Sequence, residues 1–383
     1  MLELFQVLNC CFEAGLNICV SVCDMDGVNK RALCLLGASV EHPVIKVGEH
    51  NIVTIFDTPH LLKCFRNLFL KYDIKFTTDI TSENRQGFGI AKWSHIKLFY
   101  ELDNSNPHFV YAPCLREEHL NPNSKQKMKV KLAAQILSHS VAAGIYSKIA
   151  NGDMPSEAIA TANLIAKMDM LFDGVNASTP DLRRGKKYST NMRESTGHLT
   201  LFQEIKNLFK NLEFLECRST PPSKEGWVWT LNGLEIVWKF LTKKHKTIKS
   251  LSTRRIQQDP LENLFGCIRS NCGSNSNPTT SQFVAGLKTA VLSNMGNIGL
   301  GNCEIDENEA ILDNFKKLLN PATDISVSNE NTSLRILLND ENVYSSLEEN
   351  MEEANGEMQA CASFATETAA SVLKRKMKII SHK

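Results

Sequence analysis

The sequence predicts an α/β protein in which a large, mainly helical domain interrupts strand-bearing pieces. Three observations lead there. Apolar residues alternate over 16–23, with Ile18, Val20 and Val22 on one side and Cys19 and Ser21 on the other, the pattern of a short buried strand. A second β-rich run, Asn51 to Phe56, leads straight into Asp57-Thr-Pro-His, where Asp57 can cap a helix whose first turn tolerates Pro59. From about residue 90 to 240 the periodicity is helical, with no competing strand alternation and no internal repeat.

Taken in order, residues 2–14 repeat apolar side chains at helical spacing and stop at Gly15. The strand that follows ends at Asp24, and Asp26-Gly27 supplies a turn. Beyond the helix opened by Asp57, helices are expected over 93–102, 125–150, 155–173, 198–215 and 230–242. Past Gly301 the composition changes. Residues 340–357 carry seven acids and no base, which reads as a solvated linker, and 360–378 read as a helix with Lys374-Arg375-Lys376 in its last turns.

At 383 residues the chain has room for two or three compact units. Its 43 Lys and Arg balance 42 Asp and Glu, so any contact with nucleic acid must come from local patches. Candidates are Arg183-Arg184-Gly-Lys-Lys187, Lys243-Lys244-His-Lys246 and Arg254-Arg255, each of which is also an ordinary solvated surface. Twelve cysteines without a C-x-x-C pair suit reduced, mostly buried thiols of a cytosolic or nuclear protein better than a disulfide frame or zinc site. No apolar run approaches the roughly 18 residues of a membrane span, so no membrane partner is expected.

The motif Gln258-Asp-Pro-Leu-Glu262 sets two carboxylates three residues apart at a helix start. It also spells a helix cap, with Asp259 at the N-cap, Pro260 at N1 and Glu262 at N3. The helix beyond it is expected to bury Leu261, Leu264, Phe265 and Ile268, leaving Glu262 presented on another face. Asp24 is either a strand-end residue beginning a turn or one acid of a site. A calcium loop is excluded, because the twelfth position counted from Asp24 is Leu35 instead of Glu. Acids on separate elements are what two-metal phosphodiester chemistry requires, one ion activating the attacking oxygen and one stabilising the leaving oxygen.

Four signatures occur in order: Cys23-Asp24 with Asn29; Phe56-Asp-Thr-Pro-His-Leu-Leu-Lys63 with Arg66-Asn67; Lys127-Met-Lys-Val-Lys-Leu-Ala-Ala-Gln135; and Gln258-Asp-Pro-Leu-Glu262 with Phe265-Gly266. Together, over about 25–295, they resemble the P element-type DNA transposases. The resemblance implies an α/β RNase H-like catalytic core, here incomplete, interrupted by a large, mainly α-helical GTP-binding insertion domain. It divides the chain into a partial RNase H-like piece over 1–56, the insertion over 57–250, the C-terminal RNase H-like piece over 251–298 and a divergent acidic tail over 299–383. It implies that Asp24 and Glu262 bind Mg²⁺ as the second and third catalytic acids, with Asp259 as an accessory acid. The family's first acid lies well upstream of its second, and 23 residues precede Asp24. The resemblance therefore implies an N-terminally truncated chain that does not cut or join DNA alone.

The same resemblance implies GTP as a ligand, transposon-end DNA, further copies or a full-length transposase as partners, and a nuclear location. It assigns Lys129, Val130, Ser138, Phe172, Asp173 and Asn176 to the nucleotide site. The chemistry suits that assignment. Phe172 offers a stacking face, unless it simply packs in the core beside Ile165, Met168 and Leu171. A carboxylate at Asp173 can accept both the ring N–H and the exocyclic amine of guanine, a donor pair that adenine lacks. Lys127, Lys129 and Lys131 also make an ordinary basic helix face. No phosphate-binding G-x-x-x-x-G-K-[ST] loop is present, so GTP hydrolysis is not implied. The family's further phosphate-side lysine before Glu118-His119 is replaced here by Cys114 and Leu115.

Overall fold

The structure is a computed structural model that describes residues 2–79, 86–105, 110–180, 186–245, 247–275 and 277–296. The expected acidic linker and C-terminal helix, and Arg183, Arg184 and Lys246, lie outside the described residues. The chain divides into two compact units. The smaller takes residues 1–17 and those from Asp259 onward, and the larger runs from Ile18 to Gln258.

In chain order, α1 (Leu2–Glu13) is the expected first helix and ends before Gly15, whose positive φ closes the turn. The larger unit opens with β1 (Val20–Cys23), then α2 (Gly27–Leu35), β2 (Val44–Val47) and β3 (His50–Phe56). These strands form a sheet in the order β1-β3-β2, with β1 parallel and β2 antiparallel to β3. Asp26 caps α2 by accepting the Val28 N–H, which converts the expected turn into a helix start. As expected, β3 runs through the Asp57 cap into α3 (Thr58–Phe69). The α3 face carrying Leu61, Leu62, Phe65 and Phe69 is buried.

A second sheet follows. β4 (Ile74–Asp79) pairs antiparallel with β5 (Gln86–Ala91) and with β6 (Glu213–Phe214). β6 falls within the helix expected over 198–215. Its two residues are held by pairing of Ile74 with Phe214, a non-local contact that local periodicity does not encode. Between these strands lie α4 (Trp93–Asn104), α5 (Glu117–Leu120), α6 (Ser124–Lys127), α7 (Val130–Ile136), α8 (His139–Ala150) and α9 (Ala158–Val175). The single helix expected over 125–150 is thus three, because the backbone turns at Met128-Lys129 and again at Leu137-Ser138. After β5–α9 come α10 (His198–Asn211) and, past β6, α11 (Pro222–Lys244).

α11 lies over the first sheet. Trp229 Nε1 donates to the Thr54 carbonyl at 3.0 Å, and the Thr230 hydroxyl accepts the Phe56 N–H at 3.0 Å. Aromatic rings tie α3, α10, β6 and α11 into one core: Phe65 packs edge-on against Phe209 and Phe214, and Phe209 stacks on Trp227. Lys206, nearly buried on α10, is paired with Glu235 at 2.7 Å and Asn232 at 3.1 Å on α11. The core is filled by Ile, Leu, Phe and Trp. The cysteines do not behave as expected, since none of the ten described is fully buried, and all are free.

In the smaller unit, α12 (Asp259–Asn271) and α13 (Thr280–Gly296) form a hairpin. Phe265 meets Phe283, Cys272 Sγ donates to the Gln282 carbonyl, and Gly286 lets α13 approach the Ile268 carbonyl. Ile268 is buried as expected, but Leu261 and Leu264 are 50% and 38% exposed. The hairpin uses the 265–268–272 side of α12, which leaves those two leucines outside it. No helix among the described residues is long and apolar enough to cross a membrane.

Gly233 marks the closest approach of α11 to β3. A Cβ there would stand 2.5 Å from Ile55 Cγ2 and 3.1 Å from the Thr54 carbonyl oxygen. Gly233→Ala is therefore expected to destabilise the larger unit by about 1–3 kcal/mol, as overpacking does. Urea unfolding followed by tryptophan fluorescence checks this, and an unchanged midpoint contradicts the packing described.

Candidate functional site

Two groups of candidate residues sit on the larger unit, and a third on the smaller. The first is built by the parallel pairing of β1 with β3. Its register sets Cys23 beside Phe56, and the Asp57 N–H continues the ladder to the Cys23 carbonyl at 2.9 Å. Asp24 and Asp57 thus follow the carboxyl ends of adjacent parallel strands, where ligand sites of open α/β sheets lie. Asp57 is buried. It accepts the His60 N–H at 3.1 Å and the Gln258 N–H at 3.0 Å. Asp24 is half exposed, and its Oδ1 lies 2.8 Å from His60 Nδ1. Asn29 Nδ2 donates to the Asp24 carbonyl, which steadies the strand end.

The sequence reading missed His60, although its place in the first turn of a capped helix put it near the strand ends. The Cys64 side chain one turn along and, against the effect of burial, the Asp24 carboxylate raise its pKa to about 9. Burial, with Asp24 adding to it, pushes the Cys23 thiol up to about 11, so it stays protonated near neutrality.

The second group lies where α8 begins and α9 ends. Ser138 is the N-cap residue of α8, and the next backbone N–H, that of His139, faces the Asp169 carboxylate on α9. Phe172, Asp173 and Asn176 occupy the last turn and C-cap of α9, all partly exposed. Lys186 Nζ bonds both Asp173 oxygens, at 2.8 and 3.0 Å, and lies 3.9 Å from Asp169 Oδ1. Burial raises the pKa of Asp169, opposed by Lys186 and the His139 N–H. The Asn176 N–H caps the Phe172 carbonyl at 2.9 Å, while its Oδ1 is buried without a partner.

Lys129 and Val130 start α7, whose seven residues span about 10 Å before the Leu137-Ser138 turn. The structure therefore brings Ser138, Phe172, Asp173 and Asn176 to one end of the α8–α9 pair and sets Lys129 and Val130 one short helix away. Lys129 is not on a continuous helix face with Lys127 and Lys131. It is the N-cap residue at the turn between α6 and α7. Arg66 holds that turn. Fully buried on α3, it donates through Nη2 to the Lys127 carbonyl at 3.1 Å, and Asn67 Nδ2 reaches the same oxygen. Burial lowers the Arg66 pKa, and its Nη1 has no partner.

The third group, Asp259 and Glu262, stands in the first turn of α12, with Glu262 exposed and Asp259 half-buried. Asp24 belongs to the larger unit and these two to the smaller. Among the described residues no three His, Cys, Asp or Glu side chains gather as metal ligands. The segment leading into α12 is firmly held within the larger unit. Thr253 Oγ1 donates to the Gly174 carbonyl and accepts the Ala177 N–H, and Gln257 Nε2 donates to the Val175 carbonyl and to Thr58 Oγ1.

Residues 59–189 match the family described as TNP-like, GTP-binding insertion domain, and residues 255–287 match TNP-like, RNase H C-terminal domain. The chain is 24% identical over 327 residues to the Transposable element P transposase of Drosophila melanogaster, an alignment that covers 82% of this chain and 40% of that protein. It thus spans well under half the length of that curated relative. The Drosophila P element transposase strand transfer complex shares the fold, with a TM-score of 0.65 at 23% identity over 75% of this chain and 63% of that one.

His60 gives a pH prediction. Its folded pKa of about 9 exceeds the unfolded value near 6.5, so the stability it contributes is complete below pH 6.5 and is lost as pH rises through 9. Urea midpoints measured from pH 6 to 9.5 are expected to show this loss in wild type and a flatter profile in His60→Gln; identical slopes contradict the raised His60 pKa. With a TNP-like GTP-binding insertion domain and a TNP-like RNase H C-terminal domain in order, the chain is similar to a P element transposase along most of its length.

Proposed function

We propose that this protein is a guanine-nucleotide-binding relative of the P element transposases that works on transposon-end DNA in the nucleus. The observation that carries the reading is the α8–α9 end, inside the residues matched by the GTP-binding insertion domain. There Asp173 offers two carboxylate oxygens at the edge of a partly exposed Phe172 face. The buried, unpartnered Oδ1 of Asn176 awaits a donor. These groups fit a guanine ring, with Ser138 on the neighbouring helix end and Lys129 and Val130 farther along α7 toward the phosphates.

The proposal gives Asp24 and Glu262 to Mg²⁺, with Asp259 as accessory acid. Hard carboxylate oxygens at least partly open to water suit an ion that keeps several of its waters. When bound, Mg²⁺ supplies activation of the attacking oxygen and stabilisation of the leaving oxygen in phosphodiester exchange. Further copies of the chain, or a full-length transposase, are the protein partners proposed. Of the three basic patches, Lys186, Lys187, Lys243, Lys244, Arg254 and Arg255 are the described cations offered to DNA phosphates.

A second reading is a non-catalytic, GTP- and DNA-binding protein derived from a transposase. The His60–Asp24 pair favours it, because one Asp24 oxygen is already taken by a cation and leaves only the other for a metal.

Calorimetry with Mg²⁺ tests the shared core of both readings. Wild type is expected to bind GTP in preference to ATP, and Asp173→Asn to lose roughly tenfold or more of the GTP affinity, since the amide offers one acceptor where the base presents two donors. A folded wild type that binds neither nucleotide, or binds both alike, overturns the assignment.

A further inference from the structure

The carboxylate assigned to guanine is already in use. Both Asp173 oxygens are engaged by one ammonium, that of Lys186, in the seat a guanine edge would take with its ring N–H and exocyclic amine. The two occupants exclude each other. Asp169, four residues earlier and so on the same face of α9, offers the displaced ammonium a second seat, since its Oδ1 already lies 3.9 Å from Lys186 Nζ. This second carboxylate is desolvated and gains from a nearby cation.

The Lys186 carbonyl accepts the Ser189 hydroxyl at 3.0 Å, while its side chain is partly exposed. The stretch that follows is laced to the residues after α9, through Asn191 N–H to the Thr179 carbonyl at 2.7 Å and the Thr190 hydroxyl to the Pro180 carbonyl at 3.1 Å. The flexible four-carbon stem of a lysine lets an ammonium 2.8 Å from one carboxylate oxygen and 3.9 Å from another move between them.

Building on the nucleotide assignment to Asp173, we propose that Lys186 sets the affinity of the base-reading site: guanine binding moves its ammonium from Asp173 to Asp169, and release of the base returns it. No bond is made or broken covalently, and the charge of the three side chains is unchanged. The exchange makes Asp169 a positioning residue for the displaced cation and Lys186 the internal competitor of the ligand. A base without the two-donor edge has nothing to offer Asp173 in return for the ammonium and leaves it in place.

The test is GTP calorimetry on the full chain, comparing wild type, Lys186→Met and Asp169→Asn. Lys186→Met keeps the apolar stem, removes the competitor and is expected to bind GTP roughly three- to tenfold more tightly. Asp169→Asn takes away the second seat and is expected to weaken binding by a similar factor. Unchanged or weaker binding in Lys186→Met overturns the exchange while leaving the nucleotide assignment intact, provided wild type binds GTP and Asp173→Asn does not. Should Lys186→Met fail to fold, unchanged or tighter binding in Asp169→Asn overturns it equally. Absence of GTP binding in folded wild type removes the nucleotide assignment and the exchange with it.

Discussion

One buried carboxylate organises the larger unit. Asp57 ends the central strand β3, starts α3 by accepting the His60 N–H, and accepts the Gln258 N–H from a segment 201 residues away. Its own N–H extends the parallel ladder to Cys23, next to Asp24. A cap of this kind stabilises a helix start by about 1 kcal/mol. Here the same group also closes a very long loop, so losing it would free three chain segments together. Burial makes the arrangement stringent, because an amide or carboxylate left unpaired at this depth costs more than the bond contributes.

Around Asp57 the two proposed chemistries share supports. His60, positioned by the cap, pairs with Asp24. Gln257, beside the residue that Asp57 holds, donates to the carbonyl of Val175, just before the Asn176 cap of α9. Thr253 binds Gly174 and Ala177 on either side. The end of α9 that carries Phe172 and Asp173 and the peptide that enters α12 are therefore fixed to the same framework by short, mostly buried hydrogen bonds.

Much of this was legible in the sequence where local chemistry decides. The Asp57-Thr-Pro-His cap, the stop at Gly15, the β3 run and α4, α9 and α10 follow from capping residues and periodicity. β6 was hidden because two residues become a strand only through pairing with β4. The break at Met128-Lys129 was hidden because helix formers occupy it, and its reason is tertiary: Arg66 and Asn67 draw the Lys127 carbonyl toward α3. The break at Leu137-Ser138 carried a signal that periodicity passed over, since Ser138 is a usual N-cap residue. Leu261 and Leu264 read as core from their spacing, yet α13 covers the other side of α12. At the candidate site the acids were visible as letters and their cations were not. Lys186 sat within an ordinary basic cluster and His60 within a capping sequence, and only folding brings them to Asp173 and Asp24.

The most direct test of this account is amide hydrogen exchange in Asp57→Ala against wild type under native conditions. If Asp57 is the common anchor, exchange at His60 and Gln258 accelerates together by roughly three- to thirtyfold, while amides of α8 keep their protection. Acceleration at His60 with Gln258 unchanged would contradict the account, because the segment entering α12 would then be held without Asp57.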